Sequence, residues 1–297
     1  MNKTKIEWCD MTWNPVTGCC HECPYCYVRN MANRFKGVGD LRENISWVEM
    51  MESHYEYKKG SGIYYIRQPL CRGDIPKLYA KNPAKISHYP FGFAPTFHRY
   101  RLDEPKKVKT PQNVFVCSMA DLFGNWIPDE WIQEVLDACQ KAPQHRYLFL
   151  TKNYQRYEDL ISKKLLPSLT NPYYFGHTIT TQEDSEKYYD WRFHSYNDYK
   201  NNYWINRFIS VEPLHENIDL YLNWFNVDWV IIGAETGNRK KKIVPKKEWI
   251  ENIIRQCNEK GHKRIPVFMK DSLSKIWGKP LIQEYPWETA ENVGGRV

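Results

Sequence analysis

The sequence predicts an α/β fold in which the strands of a largely parallel sheet alternate with helices. Short runs rich in β-branched and aromatic residues recur along the 297-residue chain, as buried strands require. A polar turn and a helical stretch follow most of these runs, an alternation that is typical of parallel α/β folds. Eight strand candidates are enough for an eight-stranded barrel.

The predicted elements follow one another in a regular order. The strands are predicted at Thr12–Thr17, Phe93–Phe97, Asn113–Cys117, Tyr147–Leu150, Tyr173–Thr178, Arg207–Val211, Trp229–Ile232 and Pro266–Met269. The helices are predicted at Tyr25–Phe35, Asp129–Lys141, Gln155–Leu165, Glu183–Asp190 and Lys247–Lys260. Pro128 and the acidic Asp129 resemble a helix start, and Gly261 is a plausible helix stop.

Two segments interrupt the alternation. Residues 36–92 separate the first helix from the second strand, and we interpret them as an insertion or small subdomain within a single domain spanning residues 1–297. Trp191–Trp204 is rich in aromatic residues and asparagine, and we predict that it is a surface excursion.

The composition bounds the class of protein. Hydrophobic residues make up 42% and charged residues 26%, as in a globular protein. No apolar run approaches the roughly 20 residues that a membrane helix needs, and the first residues lack a signal-peptide core. We therefore expect a cytoplasmic protein without membrane contact, either a monomer or a weak dimer. In a reducing compartment its nine cysteines predict metal binding or catalysis, not disulfides.

The net charge of +7 is unevenly distributed. Between Lys58 and Lys109 there are 12 Lys or Arg against three acidic residues. A denser basic run, Arg239–Lys242, continues to Lys246 and Lys247. Such runs suit a polyanionic partner. For a charge run alone, however, a solvated face is the more frequent explanation.

The clearest candidate functional motif is a group of three cysteines between a predicted strand and a predicted helix. Cys19, Cys23 and Cys26 have the spacing C-x3-C-x2-C. Three thiolates on such a loop can hold three irons of a cubane cluster and leave the fourth iron open for a small molecule. The alternative is a structural zinc site completed by Cys20 or His21, although no second Cys-x2-Cys or His pair follows.

The cysteine motif resembles that of the radical S-adenosylmethionine superfamily, with Tyr25 in the aromatic position before the last cysteine. Further segments resemble an uncharacterised, phage-associated branch of that superfamily, and they span most of the chain outside residues 36–92. These segments are Trp13–Pro15, Val116–Phe123, Leu150–Lys152, Ser210–Leu214, Gly233–Gly237 and Phe268–Lys270.

The resemblance implies a TIM-like (β/α) barrel of six to eight strands with a [4Fe-4S] cluster. It also implies that S-adenosyl-L-methionine binds the open iron through its amino and carboxylate groups. One electron from a reductant such as flavodoxin or ferredoxin would cleave it to methionine and a 5′-deoxyadenosyl radical, which abstracts hydrogen from a substrate. By the same resemblance Tyr25 lies near the adenine.

Polar residues follow most of the predicted strands, where the active sites of barrels lie. They are Ser118, Asp121, Lys152, Thr180, Glu212, Glu235 and Lys270. We expect catalytic roles for Lys152, Glu212 and Cys117, the last as a hydrogen-donating thiol. Together with Tyr25, four of these residues are expected to contact the cofactor or substrate: Ser118, Asp121, Glu235 and Lys270.

The substrate class and two competing functions stay open at this point. The basic runs favour a nucleic acid or nucleotide substrate, although a peptide or a small acidic metabolite would also be attracted. One competing function is a nucleic-acid-binding protein with a structural zinc or iron–sulfur site and no turnover. The other is an electron-transfer or sensor protein with a fully ligated cluster.

Overall fold

A computed structural model describes most of the chain outside the predicted insertion. The described residues are 1–35, 55–58, 63–66, 89, 92–166, 173–198, 205–222, 227–237, 239–259 and 264–291. The predicted helix stop at Gly261 and most of the predicted insertion, including Cys71, lie outside these residues.

Twelve strands and eight helices lie in the described part. The strands are β1 Asn2–Lys3, β2 Met11–Trp13, β3 Val16–Thr17, β4 Tyr55–Lys58, β5 Ile63–Ile66, β6 Thr96–His98, β7 Asn113–Val116, β8 Arg146–Thr151, β9 Tyr173–Ile179, β10 Asn206–Val211, β11 Trp229–Ile232 and β12 Val267–Met269. The helices are α1 Tyr27–Phe35, α2 Glu104–Lys107, α3 Asp129–Gln140, α4 Gln155–Ser162, α5 Gln182–Asp198, α6 Lys247–Cys257, α7 Ser274–Trp277 and α8 Pro286–Glu291.

Eight of the strands form a mostly parallel central sheet, which confirms the predicted α/β class. Its order is β1-β2-β7-β8-β9-β10-β11-β12, so from β7 onward each strand neighbours the next one in the chain. The pairs β2–β7, β9–β10, β10–β11 and β11–β12 are parallel, whereas β1 pairs antiparallel with β2. The strand pairs of the described residues do not include one that closes this sheet into a barrel.

The remaining four strands form a second sheet, and it accounts for two errors in the predicted strand list. The predicted strand Thr12–Thr17 divides into β2 in the central sheet and β3 in the second sheet. The predicted strand Phe93–Phe97 corresponds to β6, which pairs antiparallel with β3 and not with a central strand. Each short run is apolar enough for a strand, but its local sequence does not specify the partner.

The helix α5 is longer than the sequence predicted. Residues 191–198 continue it to Asp198, so this part of the predicted surface excursion is helical, and residues 199–204 lie outside the description. The sequence from Gln182 to Trp204 contains neither glycine nor proline, the residues that most often end a helix.

The described residues fall into two compact units. Unit 1 lies within Met1–Thr4, Asp10–Tyr147 and Arg156–Pro167, and unit 2 within Lys5–Cys9, Leu148–Gln155 and Ser168–Val297. None of the described helices is long and apolar enough to cross a bilayer.

The core of unit 2 depends on the alternation of side chains along its strands. Ile209 and Val211 of β10 share an apolar cluster with Ile250 and Ile253 of α6. Phe208 points to the opposite face, because successive side chains of a strand alternate. On that face Phe208 packs against Trp8 and Trp229, whose ring centroids lie 6.2 and 5.7 Å from its own.

The substitution Ile253→Ala should lower the free energy of unfolding by about 2–5 kcal/mol, because it leaves a cavity in this cluster. The exposed Glu251 lies on the same helix, and Glu251→Ala should change stability by no more than about 0.5 kcal/mol. Urea unfolding followed by circular dichroism measures both variants. Equal effects would show that α6 does not pack as described.

Candidate functional site

The cysteine loop, residues 19–26 between β3 and α1, directly follows Gly18, which is held by backbone contacts. The Gly18 N–H donates to the Met119 carbonyl at 3.0 Å, and the Cys19 N–H donates to the Phe93 carbonyl at 3.2 Å. Gly18 has φ +88°, and a Cβ at this position would lie 2.2 Å from the Ala94 carbonyl oxygen. Only glycine fits this conformation and this close approach.

Two of the motif cysteines, Cys23 and Cys26, lie near enough to Cys19 to affect its pKa. Cys19, Cys23 and Cys26 are half-buried, whereas Cys20 is exposed. Burial is the largest effect on Cys19 and raises the pKa of its thiol to about 12, with further contributions from the charges of Asp121, Cys23 and Cys26. A bound metal would supply the positive charge that converts such thiols to thiolates.

The donor set consists of three thiols, a ligand type that iron–sulfur clusters and zinc sites both use. Within the described ranges, no three or more His, Cys, Asp or Glu side chains converge closely enough to hold one ion. Zn–S bonds of about 2.3 Å would require sulfurs about 3.8 Å apart in a tetrahedral site. A cubane cluster places irons and sulfides between its thiolates and therefore tolerates wider spacing. Cys19, Cys23 and Cys26 are the residues that would hold it.

The buried carboxylate of Asp121 contacts His21 and so holds the middle of the cysteine loop. The His21 Nε2 and Asp121 Oδ2 atoms lie 2.6 Å apart, and Asp121 Oδ1 accepts a hydrogen bond from the Phe123 N–H at 3.0 Å. The His21 ring also makes a T-shaped contact with the Trp126 ring, with centroids 4.8 Å apart. Sequence reasoning considered His21 only as a zinc ligand, and the structure shows it as the partner of Asp121, 100 residues away.

The other predicted residues of unit 1 lie in the cysteine loop and after β7. Cys117 is buried and has φ +58°, an uncommon conformation for a residue with a side chain. Burial raises the pKa of its thiol to about 12. The Ser118 hydroxyl donates to Asn14 Oδ1 at 3.1 Å, and the same oxygen accepts from the Met119 N–H. Tyr25 is half-buried within the cysteine loop.

Unit 2 contains a second polar group, centred on Lys270. Its ammonium donates to Glu212 and lies 3.8 Å from Glu7 Oε2. A Cβ on Gly233 would lie 3.0 Å from Lys270 Cδ and 3.2 Å from Glu212 Cδ, so the two side chains pass over this glycine. Lys270, at the end of β12, therefore lies between Glu212 at the end of β10 and Glu7 in the segment between β1 and β2.

A buried hydroxyl lies on the same face of β10 as Glu212. Ser210 is fully buried, and the described residues offer its hydroxyl no hydrogen-bond partner. Strand alternation places the two side chains on one face, because they are two residues apart. An unpaired buried hydroxyl is costly, so Ser210 is a polar group available to a ligand or a water molecule.

Lys152 and Thr180 are associated with Asp184, a residue that the sequence did not single out. Asp184 Oδ2 accepts from the Thr180 N–H at 2.9 Å and from the Thr180 hydroxyl at 2.7 Å. Burial tends to raise the pKa of Asp184, but these hydrogen bonds and the charge of Lys152 outweigh it, and the pKa is lowered. Asp184 therefore stays ionised and organises the start of α5.

Glu235 forms an ion pair with Arg239, and the carboxylate of this pair is buried. Its two oxygens accept from Nε and Nη2 of Arg239, both at 2.6 Å, and His215 Nε2 lies 3.6 Å away. The Glu235 side chain is only 2% exposed. Hydrogen bonding from Arg239 is the main reason that the pKa of Glu235 is lowered.

The comparison with protein families corrects the expected kinship. The model of a family described as a protein of unknown function (DUF5131) matches residues 3–65 and 71–280, and the chain belongs to that family. This family is not a radical S-adenosylmethionine family, so the expected membership of that superfamily, including its phage-associated branch, is wrong. Cysteine spacing shows which residues can share a metal group, but it does not establish ancestry. No curated protein and no solved structure matches the chain.

The Glu235–Arg239 pair predicts a specific dependence of stability on pH. A carboxylate whose pKa is lowered in the folded state stabilises the fold above its ordinary pKa, about 4.3 for glutamate. That contribution is lost as the pH falls through the lowered value. Glu235→Gln should therefore melt below wild type at neutral pH, and the difference should shrink in acid. Thermal melts over this range measure the effect.

The control for this prediction is Glu251→Gln, at an exposed site on α6. Its melting temperature should follow that of wild type at every pH. A difference for Glu235→Gln that stayed constant with pH would contradict the ion-pair explanation.

Proposed function

We propose that this member of the DUF5131 family is an iron–sulfur enzyme that uses S-adenosyl-L-methionine. In this proposal Cys19, Cys23 and Cys26 hold a [4Fe-4S] cluster with one open iron, and hydrogen is abstracted from a nucleic acid or nucleotide. The observation that carries the proposal is the grouping of three thiols on one eight-residue loop, where Cys23 and Cys26 both contribute to raising the pKa of Cys19. The proposal rests on this donor set and not on superfamily membership.

The bound cluster would supply one electron for reductive cleavage of S-adenosyl-L-methionine at the open iron, after receiving it from a flavodoxin- or ferredoxin-type reductant. The protein's own residues bind and orient. Gly18 fixes the start of the cysteine loop against residues 93–94 and 119–120, and the His21–Asp121 contact holds its middle. Such outer contacts orient metal ligands and tune the metal group.

Cys117 has the protonation state that its proposed role requires. A hydrogen-donating thiol must carry its hydrogen at neutral pH, and burial raises the pKa of Cys117 to about 12. Its left-handed backbone at the end of β7 is the kind of local strain that concentrates at functional positions. These two observations support the proposal of Cys117 as a catalytic residue.

The polar group of unit 2 suits a ligand that carries both charged and hydroxyl groups. Lys270 and Glu212 present opposite charges at the ends of β12 and β10, the two strands that flank β11, and Ser210 offers a buried hydroxyl. We propose that they bind polar groups of the cofactor or substrate, with Lys152 and Glu212 moving or holding protons. Glu235, by contrast, contributes through its pairing with Arg239.

The proposal also covers closure of the central sheet and the location of the protein in the cell. The sequential order of the strands from β7 to β12 supports closure of the central sheet into a TIM-like barrel. Reduced thiols are required at Cys19, Cys23 and Cys26, which supports a cytoplasmic location because that compartment keeps thiols reduced.

Replacing Cys23 with alanine tests the proposal, because it removes one of three cluster ligands. Anaerobic reconstitution of wild type with iron and sulfide should give a bound cluster, and dithionite with S-adenosyl-L-methionine should then give 5′-deoxyadenosine. Cys23→Ala should lose both. Iron analysis and chromatography of the nucleoside product measure the two outcomes.

Two matched variants complete this test. Cys139 is buried in α3 and Cys20 is exposed beside the motif, so Cys139→Ala and Cys20→Ala should both keep iron and product. A full complement of iron in Cys23→Ala would contradict the ligand assignment. Zinc uptake without iron or 5′-deoxyadenosine would instead favour a structural site and a binding protein without turnover.

Asp121→Asn tests the contact that holds the cysteine loop. The asparagine keeps the acceptor for the Phe123 N–H but removes the charge facing His21, so the loop should hold its cluster less firmly. We expect iron loss during gel filtration to be roughly 10-fold faster than in wild type, within the range for lost outer contacts. Unchanged iron retention would show that the contact does not support the site.

A further inference from the structure

The basic loop, residues 239–247 after β11, concentrates positive charge in a short stretch of unit 2. Its sequence, Arg-Lys-Lys-Lys-Ile-Val-Pro-Lys-Lys, contains six cationic residues and no acidic one. Its first residue, Arg239, is bound by both oxygens of the buried Glu235. The ion pair therefore anchors the basic loop to Glu235. Glu235 lies two residues after Gly233, the glycine over which Glu212 and Lys270 meet.

Three lysines of this loop are not paired with carboxylates as other surface lysines of the protein are, whereas Lys247 at its end lies 3.9 Å from Glu251 Oε1. Lys240, Lys241 and Lys242 are exposed. Among the described residues none of these three has a carboxylate partner, and Lys242 donates instead to the Gly237 carbonyl. Lys163, by contrast, lies within 3.0 Å of two carboxylates, Asp129 and Asp159. A solvated face usually mixes both signs of charge, and this loop does not.

Two exposed apolar side chains lie between the two basic parts of the loop. Ile243 is 40% and Val244 is 61% exposed, and they are two of the three large apolar side chains exposed in the described part of the chain. They separate Lys240–Lys242 from Lys246 and Lys247, and the Lys246 ammonium lies 5.7 Å from the centre of the Trp249 ring. Two exposed apolar side chains with cations on both sides suit a strand of nucleic acid, which has a phosphate backbone and flat, partly apolar bases.

We infer that the basic loop binds a single-stranded nucleic acid, with lysines on its phosphates and Ile243 and Val244 against its unpaired bases. The Lys242 N–H donates to the Arg239 carbonyl at 3.3 Å, so Arg239–Lys242 form a turn that groups four cationic residues in a short stretch. A duplex would contact only the lysines, because its base faces are stacked. This inference rests on the proposed function and assigns its nucleic acid substrate to a defined surface.

The test measures binding of the full chain to a fluorescent single-stranded oligonucleotide of mixed sequence by anisotropy over a range of salt concentrations. The variant Lys240→Gln/Lys241→Gln/Lys242→Gln removes three charges from the loop. We expect its affinity to fall roughly 10- to 100-fold and the slope of log K against log salt to fall by about 2, since each phosphate contact on a single strand contributes about 0.7.

A matched control separates this surface from net charge. Lys106→Gln/Lys163→Gln/Lys187→Gln also removes three charges, from exposed lysines that are paired with acidic residues. It should keep its affinity within about 2-fold, because paired surface lysines release few phosphate counterions. Equal losses in the two triple variants would overturn the inference.

A second variant tests the apolar contact. Ile243→Ser/Val244→Ser should weaken single-strand binding several-fold while leaving binding to a blunt duplex of the same sequence unchanged. Equal losses on both, or wild-type binding to vesicles containing phosphatidylserine as tight as to the oligonucleotide, would overturn the inference. Because no iron or S-adenosyl-L-methionine is added, failure of the proposed cluster chemistry would leave this binding result intact and distinguishable.

Discussion

The candidate site depends on one close backbone approach, between Gly18 and the chain at residues 93–94 and 119–120. A side chain at position 18 would overlap the Ala94 carbonyl, so the cysteine loop can start here only at a glycine. The backbone hydrogen bonds of Gly18 and Cys19 then set where the first thiol lies. The His21–Asp121 contact fixes the following residues. These contacts define where the spaced cysteines begin in the fold.

Charged groups near the strand ends are held by partners and do not stand alone. Glu235 with Arg239, and Glu212 with Lys270, are pairs in which at least one side chain is largely buried. A buried charge is costly unless it is paired, and removing one partner leaves the other exposed to that cost. Pairing therefore fixes the orientation of these side chains, and in the case of Arg239 it also anchors a loop in which Lys240, Lys241 and Lys242 have no carboxylate partner among the described residues.

The sequence predicted the strands from β7 to β12 to within one or two residues, because strands buried on both faces are continuous apolar runs. It failed at Thr12–Thr17 and Phe93–Phe97, where equally apolar runs pair in the second sheet. It also identified Asp121 and Glu235 as polar residues after strands but could not supply their partners. The kinship inferred from the cysteine motif was wrong, since a short spacing constrains a ligand set and not a family.

The sequence by itself determined what is local: the α/β alternation, the spacing of Cys19, Cys23 and Cys26, and the basic run after β11. The tertiary structure decided which groups meet. Asp121 reaches His21 from 100 residues away, and Lys270 reaches Glu212 from 58 residues away. It also decided that Arg239 is occupied by Glu235 while Lys240 and Lys241 remain without a carboxylate among the described residues. Periodicity and spacing act over a few residues, whereas ion pairs and hydrogen bonds depend on distances that only the folded chain defines.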